Sequence, residues 1–271
     1  MTEFLTSTFD IIFARKELFA NPRKRETLKF LEARYKDGIE IRRLNGLSVV
    51  TLPSFRLVYL RRFSSDVLAF NQIILKKEFE NVITCFRENN FVPEYCIDGG
   101  ANIGLTLLFL KSFYPDLNVI AVEPNEESLD VLRKNITDNQ LESCQVVKGG
   151  IWSSAVNLSP SGSINDREME WGFKLSENVT EQSGIQGHTI MQLVNLYRWP
   201  RIDFLKLDIE GAEKEIFKNP EVYNDFMRST RSVSMEVHDP EYKVKIQAIM
   251  ESYGMTVFEF GELTFGFKKT P

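Results

Sequence analysis

The residues best suited to chemistry are a carboxylate, a glycine-rich turn and a second carboxylate 25 residues after the first. Tyr95-Cys96-Ile97-Asp98 is a short apolar run ending in an acid. Gly99-Gly100-Ala101-Asn102-Ile103-Gly104 follows as a turn, and Leu105-Thr106-Leu107-Leu108-Phe109-Leu110 has helical character. Strand, tight turn and helix N-terminus in that order is how open α/β sheets hold nucleotide-type ligands. The glycines lack the Cβ atoms that would keep a ligand off the backbone. A dinucleotide would need G-x-G-x-x-G and a helix N-terminus free to receive its pyrophosphate. Here position 101 is alanine, and Asp98 stands directly before the turn, where its charge would repel phosphate. An ammonium-bearing ligand without phosphate fits better, which describes the methionine part of S-adenosylmethionine. Val119-Ile120-Ala121-Val122-Glu123-Pro124-Asn125 reads as the next strand, and a carboxylate at its end can accept both hydroxyl hydrogens of a ribose. The expected cofactor site is therefore Asp98, Gly99, Gly100, Ala101, Asn102, Gly104, Glu123, Pro124 and Asn125. Gly150, Ile151 and Trp152 are expected near the adenine, and Asp208 near the sulfonium end.

Methyl transfer is an in-line displacement in which positioning does much of the work, and a hydroxyl acceptor must also give up its proton to a base. His238 is one of two histidines and falls at the carboxyl end of the strand-like run Ser232-Val233-Ser234-Met235-Glu236-Val237-His238. Glu236, two residues earlier, shares its face of the strand. Asp208 ends the neighbouring strand-like run Ile202-Asp203-Phe204-Leu205-Lys206-Leu207. The expected catalytic set is Asp208 beside the acceptor, His238 as base and Glu236 orienting it. Two carboxylates and an imidazole are also competent ligands for a divalent metal. Strand-end carboxylates often cap a helix or bind substrate instead, so no metal is assigned.

A doubly wound α/β sheet has to bring these residues together. Residues 1–90 read as an accessory segment, and 91–271 as the cofactor-binding domain with an insertion at about 153–187. In the accessory segment, 1–37 has helical stripes. Leu47–Leu52 and Phe55–Leu60 read as a hairpin about Pro53-Ser54, and Ser64-Ser65-Asp66 reads as a helix cap. In the domain, strand and helix alternate. Asn125 is expected to cap one helix, and Asp239-Pro240 supplies a cap and a first-turn proline for another. The helix after Asp208, flanked by Glu210 and Glu213, is expected to end near Asn219-Pro220. The insertion contains one strand-like piece, Trp171-Gly172-Phe173-Lys174-Leu175, and is expected to form a small hairpin bordering the site. Met255–Phe260 and Leu263–Phe267 close the chain as two strands. Five parallel strands ending in an antiparallel hairpin is the layout of the Rossmann-like class I methyltransferase sheet, whereas a dehydrogenase would add a sixth parallel strand.

The chain has 271 residues, 43% of them hydrophobic, enough for one large core. Its net charge of −5 points away from a nucleic-acid binder. Cys85, Cys96 and Cys144 lack metal-type spacing and read as reduced thiols. The start Met-Thr-Glu-Phe has no basic region followed by an apolar core, and no apolar run reaches membrane-spanning length. The expectation is a cytoplasmic protein with no membrane partner; homo-oligomerisation is left open.

Together, Asp98–Gly104, Glu123-Pro124-Asn125 and Ile202–Glu213 resemble the FkbM-type methyltransferases, with Leu207-Asp208-Ile209-Glu210-Gly211-Ala212-Glu213 the most distinctive run. Tyr59-Leu60-Arg61-Arg62-Phe63-Ser64-Ser65-Asp66 is similar to a motif that precedes the core in that family, and the resemblance spans roughly 57–268. It implies an S-adenosylmethionine-dependent enzyme that O-methylates a hydroxyl of a small molecule, sugar, glycan or polyketide-like product. Two other readings stay open at this point: N- or carboxyl-methylation, and a cofactor-binding module without catalysis.

Overall fold

A computed structural model describes residues 40–52, 57–62, 64–161, 174–177, 184–237 and 239–269. The helical stripes of 1–37, the hairpin residues Phe55 and Arg56, Phe63, the piece Trp171–Phe173 and the candidate base His238 lie outside the described residues.

The accessory segment opens with an antiparallel sheet of β1 (Glu40–Leu44), β2 (Leu47–Thr51) and β3 (Val58–Arg61). The first hairpin turns on Asn45-Gly46, both at positive φ, the conformation an Asn-Gly pair adopts most readily. Helix α1 (Asp66–Phe70) continues into a π-helical turn, Asn71–Leu75, and α2 (Glu80–Glu88) leads into the central sheet. Ser64 caps the start of α1, its Oγ accepting the Asp66 N–H at 3.1 Å. The Ser65 side chain makes no capping bond. The Asp66 carboxylate instead accepts the Arg61 backbone N–H at 2.7 Å and pairs with the Arg61 guanidinium at 2.7 Å.

The central sheet contains β4 (Tyr95–Gly99), β5 (Asn118–Glu123) and β6 (Cys144–Lys148), with α3 (Leu105–Phe113) and α4 (Glu126–Asp138) as crossovers. β7 (Gly150–Ile151) then joins the strands of the insertion, β8 (Asn157–Pro160), β9 (Leu175–Glu177) and β10 (Ile185–His188), in a separate sheet of order β7-β10-β8-β9. The expected small hairpin is thus one part, β8 with β9, of a larger unit. Helix α5 (Ile190–Leu196) starts with a Thr189–Gln192 capping box and precedes β11 (Ile202–Leu207). Past β11 the chain makes two helices, α6 (Glu213–Phe217) and α7 (Pro220–Ser229). Asn219-Pro220 therefore begins a helix as well as ending one: Asn219 accepts the Glu221 N–H and Pro220 occupies the first turn. β12 (Thr230–Glu236), α8 (Pro240–Ser252), β13 (Thr256–Phe260) and β14 (Leu263–Phe267) complete the chain.

The large sheet runs β13-β14-β12-β11-β4-β5-β6. β4, β5, β6, β11 and β12 are parallel, and the β13–β14 hairpin pairs antiparallel to β12, as the sequence predicts. Alternation divides the strands between two cores. Cys96, Val119, Ala121 and Phe204 face the cluster that holds Leu132 and Phe86. Ile97, Ile120, Val122 and Leu205 face the cluster of Leu193, Phe217 and Ile246. The accessory segment joins the first of these cores through Val58, Leu60, Phe70 and Phe79. It is further tied by amides of α4 and its C-cap. Asn135 accepts from Tyr59 N–H and donates to Tyr59 O and Ile103 O, and Asn139 does the same for Leu57 N–H and O.

Candidate active site

The strand order reverses about β4, with β5 on one side and β11 on the other, so the carboxyl end of β4 is a topological switch point. Gly100 there has φ +74°, and a Cβ would lie 1.8 Å from the Asp208 carbonyl oxygen. Only glycine lets β4 and β11 close side by side. Gly104 has φ +84°, a left-handed conformation that strains any residue carrying a Cβ, and that Cβ would also press on the Leu132 side chain of α4 at 2.4 Å. The Gly100 and Ala101 N–H groups both donate to Val122 O, which fixes the turn on β5.

A cavity of about 970 Å³ opens over this end of the sheet. Among the expected residues, Gly100, Ala101, Asn102, Glu123, Pro124, Gly150, Ile151, Asp208 and Glu236 line it. Gly99, Gly104 and Asn125 support it from behind. Asn125 caps α4 by accepting the Ser128 N–H at 3.0 Å and gives its own N–H to Glu123 at 2.9 Å. The second Glu123 oxygen accepts the Asn102 N–H at 2.8 Å. The carboxylate is thus aimed by two backbone donors, one from the turn and one from its own strand end. Burial pushes the Glu123 carboxyl up to about 7, against those two hydrogen bonds.

Two expected contacts need correction. Asp98 is fully buried and does not line the cavity. Parallel pairing sets Lys206 of β11 opposite it in register, and the Lys206 ammonium lies 3.1 Å from Asp98 Oδ1. The cation held by Asp98 is therefore the chain's own. Lys206 Nζ also donates to Gly100 O at 2.8 Å and lies 3.7 Å from Asp208, which, unlike Asp98, lines the cavity. Trp152, expected at the adenine, is buried with Leu158, Ile185 and Ala212 in a small core under the insertion, and its indole N–H donates to Glu177 at 2.8 Å. A ring packed and bonded in this way offers no face to a ligand in the cavity.

After Asp208 the chain turns through Glu210 (φ +55°) and Gly211 (φ +96°). The buried Glu213 accepts the Ile209 N–H at 3.1 Å and closes that turn. Glu236 reaches the cavity from the end of β12. The accessory segment forms one wall of the same cavity through Gln72, Lys76 and Glu78, and Glu262 enters from the turn of the closing hairpin; the sequence did not single out these four residues. Among the described residues, no group of three or more His, Cys, Asp or Glu is arranged to hold a metal ion, and no helix is long and apolar enough to cross a membrane.

Comparison with known proteins matches residues 98–264 to the family described as "Methyltransferase FkbM domain". The chain belongs to the FkbM methyltransferase family. That makes it an S-adenosylmethionine-dependent methyltransferase, and its sheet is the Rossmann-like class I form. Among its relatives, "Methyltransferase sdnD" of Sordaria araneosa is 29% identical over 196 residues, covering 60% of this chain and 74% of that one. "Methyltransferase 1" of Beauveria bassiana is 24% identical over 157 residues, covering 49% and 59%. Among solved structures, "Human methyltransferase 10 domain containing protein" is 12% identical, covers 93% of this chain and 100% of that chain, and has a TM-score of 0.44.

The site fits the methyl donor in kind. Gly100 and Ala101 present bare or nearly bare backbone, Glu123 stands at the end of β5, a place from which a carboxylate can accept hydroxyl hydrogens, and Gly150 and Ile151 border the adjoining strand end. A cavity of this volume lies at the upper end of the ~300–1,000 Å³ usual for ligand pockets.

Proposed function

We propose that this FkbM-family enzyme is an O-methyltransferase acting on a hydroxyl of a small molecule, sugar or polyketide-like product. The observation that carries the reading is the polarity of one continuous cavity: Asp208, Glu236 and Glu262 line the part beyond the glycine turn. Carboxylates accept hydrogens from hydroxyl groups. Their like charge works against a carboxylate acceptor beside them, with Lys76, Lys77 and Lys174 among the opposing cations that also line the cavity, so carboxyl-methylation is not the favoured reading. The same repulsion and the net charge of −5 argue against nucleic-acid phosphates as the recognised group.

The roles follow from position. Glu123 holds the ribose end, and the Gly100–Asn102 backbone supports the amino-acid end with Asp208 beside it. When bound, S-adenosylmethionine supplies a methyl group on a positively charged sulfur. Asp208 and Glu236 orient the acceptor hydroxyl from two adjacent strand ends. An amine acceptor would also be drawn to these carboxylates, and that is the second reading.

Two measurements test the proposal. Calorimetric titration with S-adenosylhomocysteine, wild type against Glu123→Ala, tests the donor site; equal affinities would remove Glu123 from it. Label from methyl-tritiated S-adenosylmethionine is then followed onto methyl glycosides, phenols, amines and carboxylic acids. Label retained in base-stable ethers supports O-methylation. Label found only in amines, or only in base-labile esters that release methanol, sinks it.

A further inference from the structure

The accessory wall contains a carboxylate that the roles above leave unused. Helix α1 passes into the π-helical turn Asn71–Leu75, a form that recurs at functional sites. Lys77 then bends the chain with φ +53°, and Phe79, 1% exposed, anchors the far side of the bend in the core. Glu78 lies between them and lines the cavity. Its N–H donates to Gln72 O at 3.2 Å, and the Gln72 side-chain amide donates to Glu78 Oε1, so backbone and carboxylate are both held by one residue of the π turn. Gln72 Nε2 also reaches Glu262 Oε2 at 3.5 Å, bridging to the turn between β13 and β14.

The charged groups around Glu78 come from three elements. Asp208 and Lys206 face it from the end of β11, and Glu262 faces it from the closing hairpin. Lys76 and Lys77 belong to its own bend, and Lys77 pairs with Glu80 at 3.0 Å. Burial raises the Glu78 carboxyl from its ordinary value. The Gln72 hydrogen bond pulls it down, Asp208 pushes it up, Lys206 pulls it down and Glu262 pushes it up, with a net rise. A carboxylate shifted in this direction is a better proton acceptor near neutral pH.

We propose that Glu78 is the general base that takes the acceptor hydroxyl's proton, a role that rests on the O-methylation reading. It lines the same cavity as Gly100 and Asp208 and feels the Asp208 charge, and the donor's sulfur end is expected beside Asp208. As the acceptor oxygen bonds to the methyl carbon, the carbon–sulfur bond breaks with its electron pair left on sulfur. The hydroxyl proton passes to the Glu78 carboxylate, and solvent later removes it. Gln72 is then a positioning residue that fixes the carboxylate through Oε1. The accessory segment thus supplies part of the chemistry, and the base comes from outside the central sheet.

The test uses the full chain as Glu78→Gln, Glu78→Asp and His238→Asn. Each variant is measured on the methyl glycoside or phenol that wild type methylates fastest, and S-adenosylhomocysteine affinity is followed by calorimetry. The expected result for Glu78→Gln is a fall in kcat of about 100-fold or more, with affinity for S-adenosylhomocysteine within about 3-fold of wild type. The rise of kcat/KM with pH on the acid side should flatten in Glu78→Gln and persist in Glu78→Asp at intermediate rate. Glu78→Gln turning over within about 3-fold of wild type overturns the proposal, as does a collapse confined to His238→Asn. Loss of S-adenosylhomocysteine binding in both Glu78 variants also overturns it, because the residue would then be holding the wall. Transfer by wild type to amines or carboxylates alone, or to no hydroxylated probe, instead removes the O-methylation reading beneath it.

Discussion

Lys206 Nζ lies 3.1 Å from Asp98 Oδ1, with both side chains shut away from solvent beneath the glycine turn. The pairing follows from the parallel register of β4 and β11, and the same ammonium donates to Gly100 O. Burial works against the charge on Lys206, yet the carboxylates of Asp98, Asp208 and Glu123 hold it above the usual lysine range. One cation therefore binds the turn from below and balances three acids at the end of the sheet. Lys206→Met would leave Asp98 buried and unpaired, at an expected cost of about 3–5 kcal/mol in urea unfolding. The double variant Asp98→Asn with Lys206→Met should regain much of that loss. A single-variant loss under ~1 kcal/mol would show that the pair is not needed to hold the turn.

Glu123 links proton binding to ligand binding. Its carboxyl is raised from 4.5 to about 7, so folding takes up a proton in that interval. The associated stability is fully present below pH 4.5 and is lost as pH rises through about 7. Compared with the non-titrating Glu123→Gln, wild type should lose up to about 3 kcal/mol of relative stability across that window, read as diverging Tm values. Ribose hydroxyls favour the ionised carboxylate, so S-adenosylhomocysteine should release a proton on binding near neutral pH. Calorimetry in buffers of different ionisation enthalpy reads this directly. An observed enthalpy independent of buffer would argue that Glu123 is already ionised or does not meet the ribose.

Features carried by local sequence were legible, and features made by register or by distant packing were not. The apolar strands, the glycine turn, the Asn125 cap and the Asp239-Pro240 helix start are each encoded within a few residues, and the structure has them as expected. Asn219-Pro220 carries the same cap-and-proline signal as Asp239-Pro240, but reading it as a stop hid α7. Asn45-Gly46 was a further local signal that went unused. Asp98 is different. Nothing within β4 says that a lysine over a hundred residues later neutralises it; only the alignment of β11 does. The cavity face of Glu78 depends on a π turn with no marked sequence pattern, and Trp152 is drawn into a core assembled by the insertion.

Arg61 connects the accessory strands to the donor site. Its guanidinium grips the fully buried Asp66 through Nε at 3.1 Å and Nη2 at 2.7 Å, and Nη2 reaches Asn102 Oδ1 at 3.3 Å. Asn102 in turn donates its N–H to Glu123. Arg61→Ala should destabilise the fold by about 3 kcal/mol, because it strands the Asp66 carboxylate. It should also weaken S-adenosylhomocysteine binding through the loosened turn. Arg61→Lys should restore little, since an ammonium cannot reproduce the planar fork. Full recovery of both readouts in Arg61→Lys would mean that charge alone, and not the fork, joins the segments.

Asn135 of α4 and Asn139 at its C-cap imitate a neighbouring strand for the backbone of Leu57 and Tyr59, and the two positions should not be equal. Asn135 is fully buried and serves Tyr59 N–H, Tyr59 O and Ile103 O, the last at the end of the glycine turn. Removing its amide leaves all three without that partner, and each buried orphan costs about 1–3 kcal/mol. Asn135→Ala is therefore expected to lose at least ~3 kcal/mol in urea unfolding and to speed hydrogen exchange at the Tyr59 amide. Asn135→Leu should fare no better, since refilling the volume restores none of the bonds. Asn139 is only half-buried, so water can replace its bonds to Leu57, and Asn139→Ala should cost nearer ~1 kcal/mol. A matching loss at the two sites would mean that apolar packing of Val58 and Leu60, and not the amide clamp, holds the accessory strands to the domain.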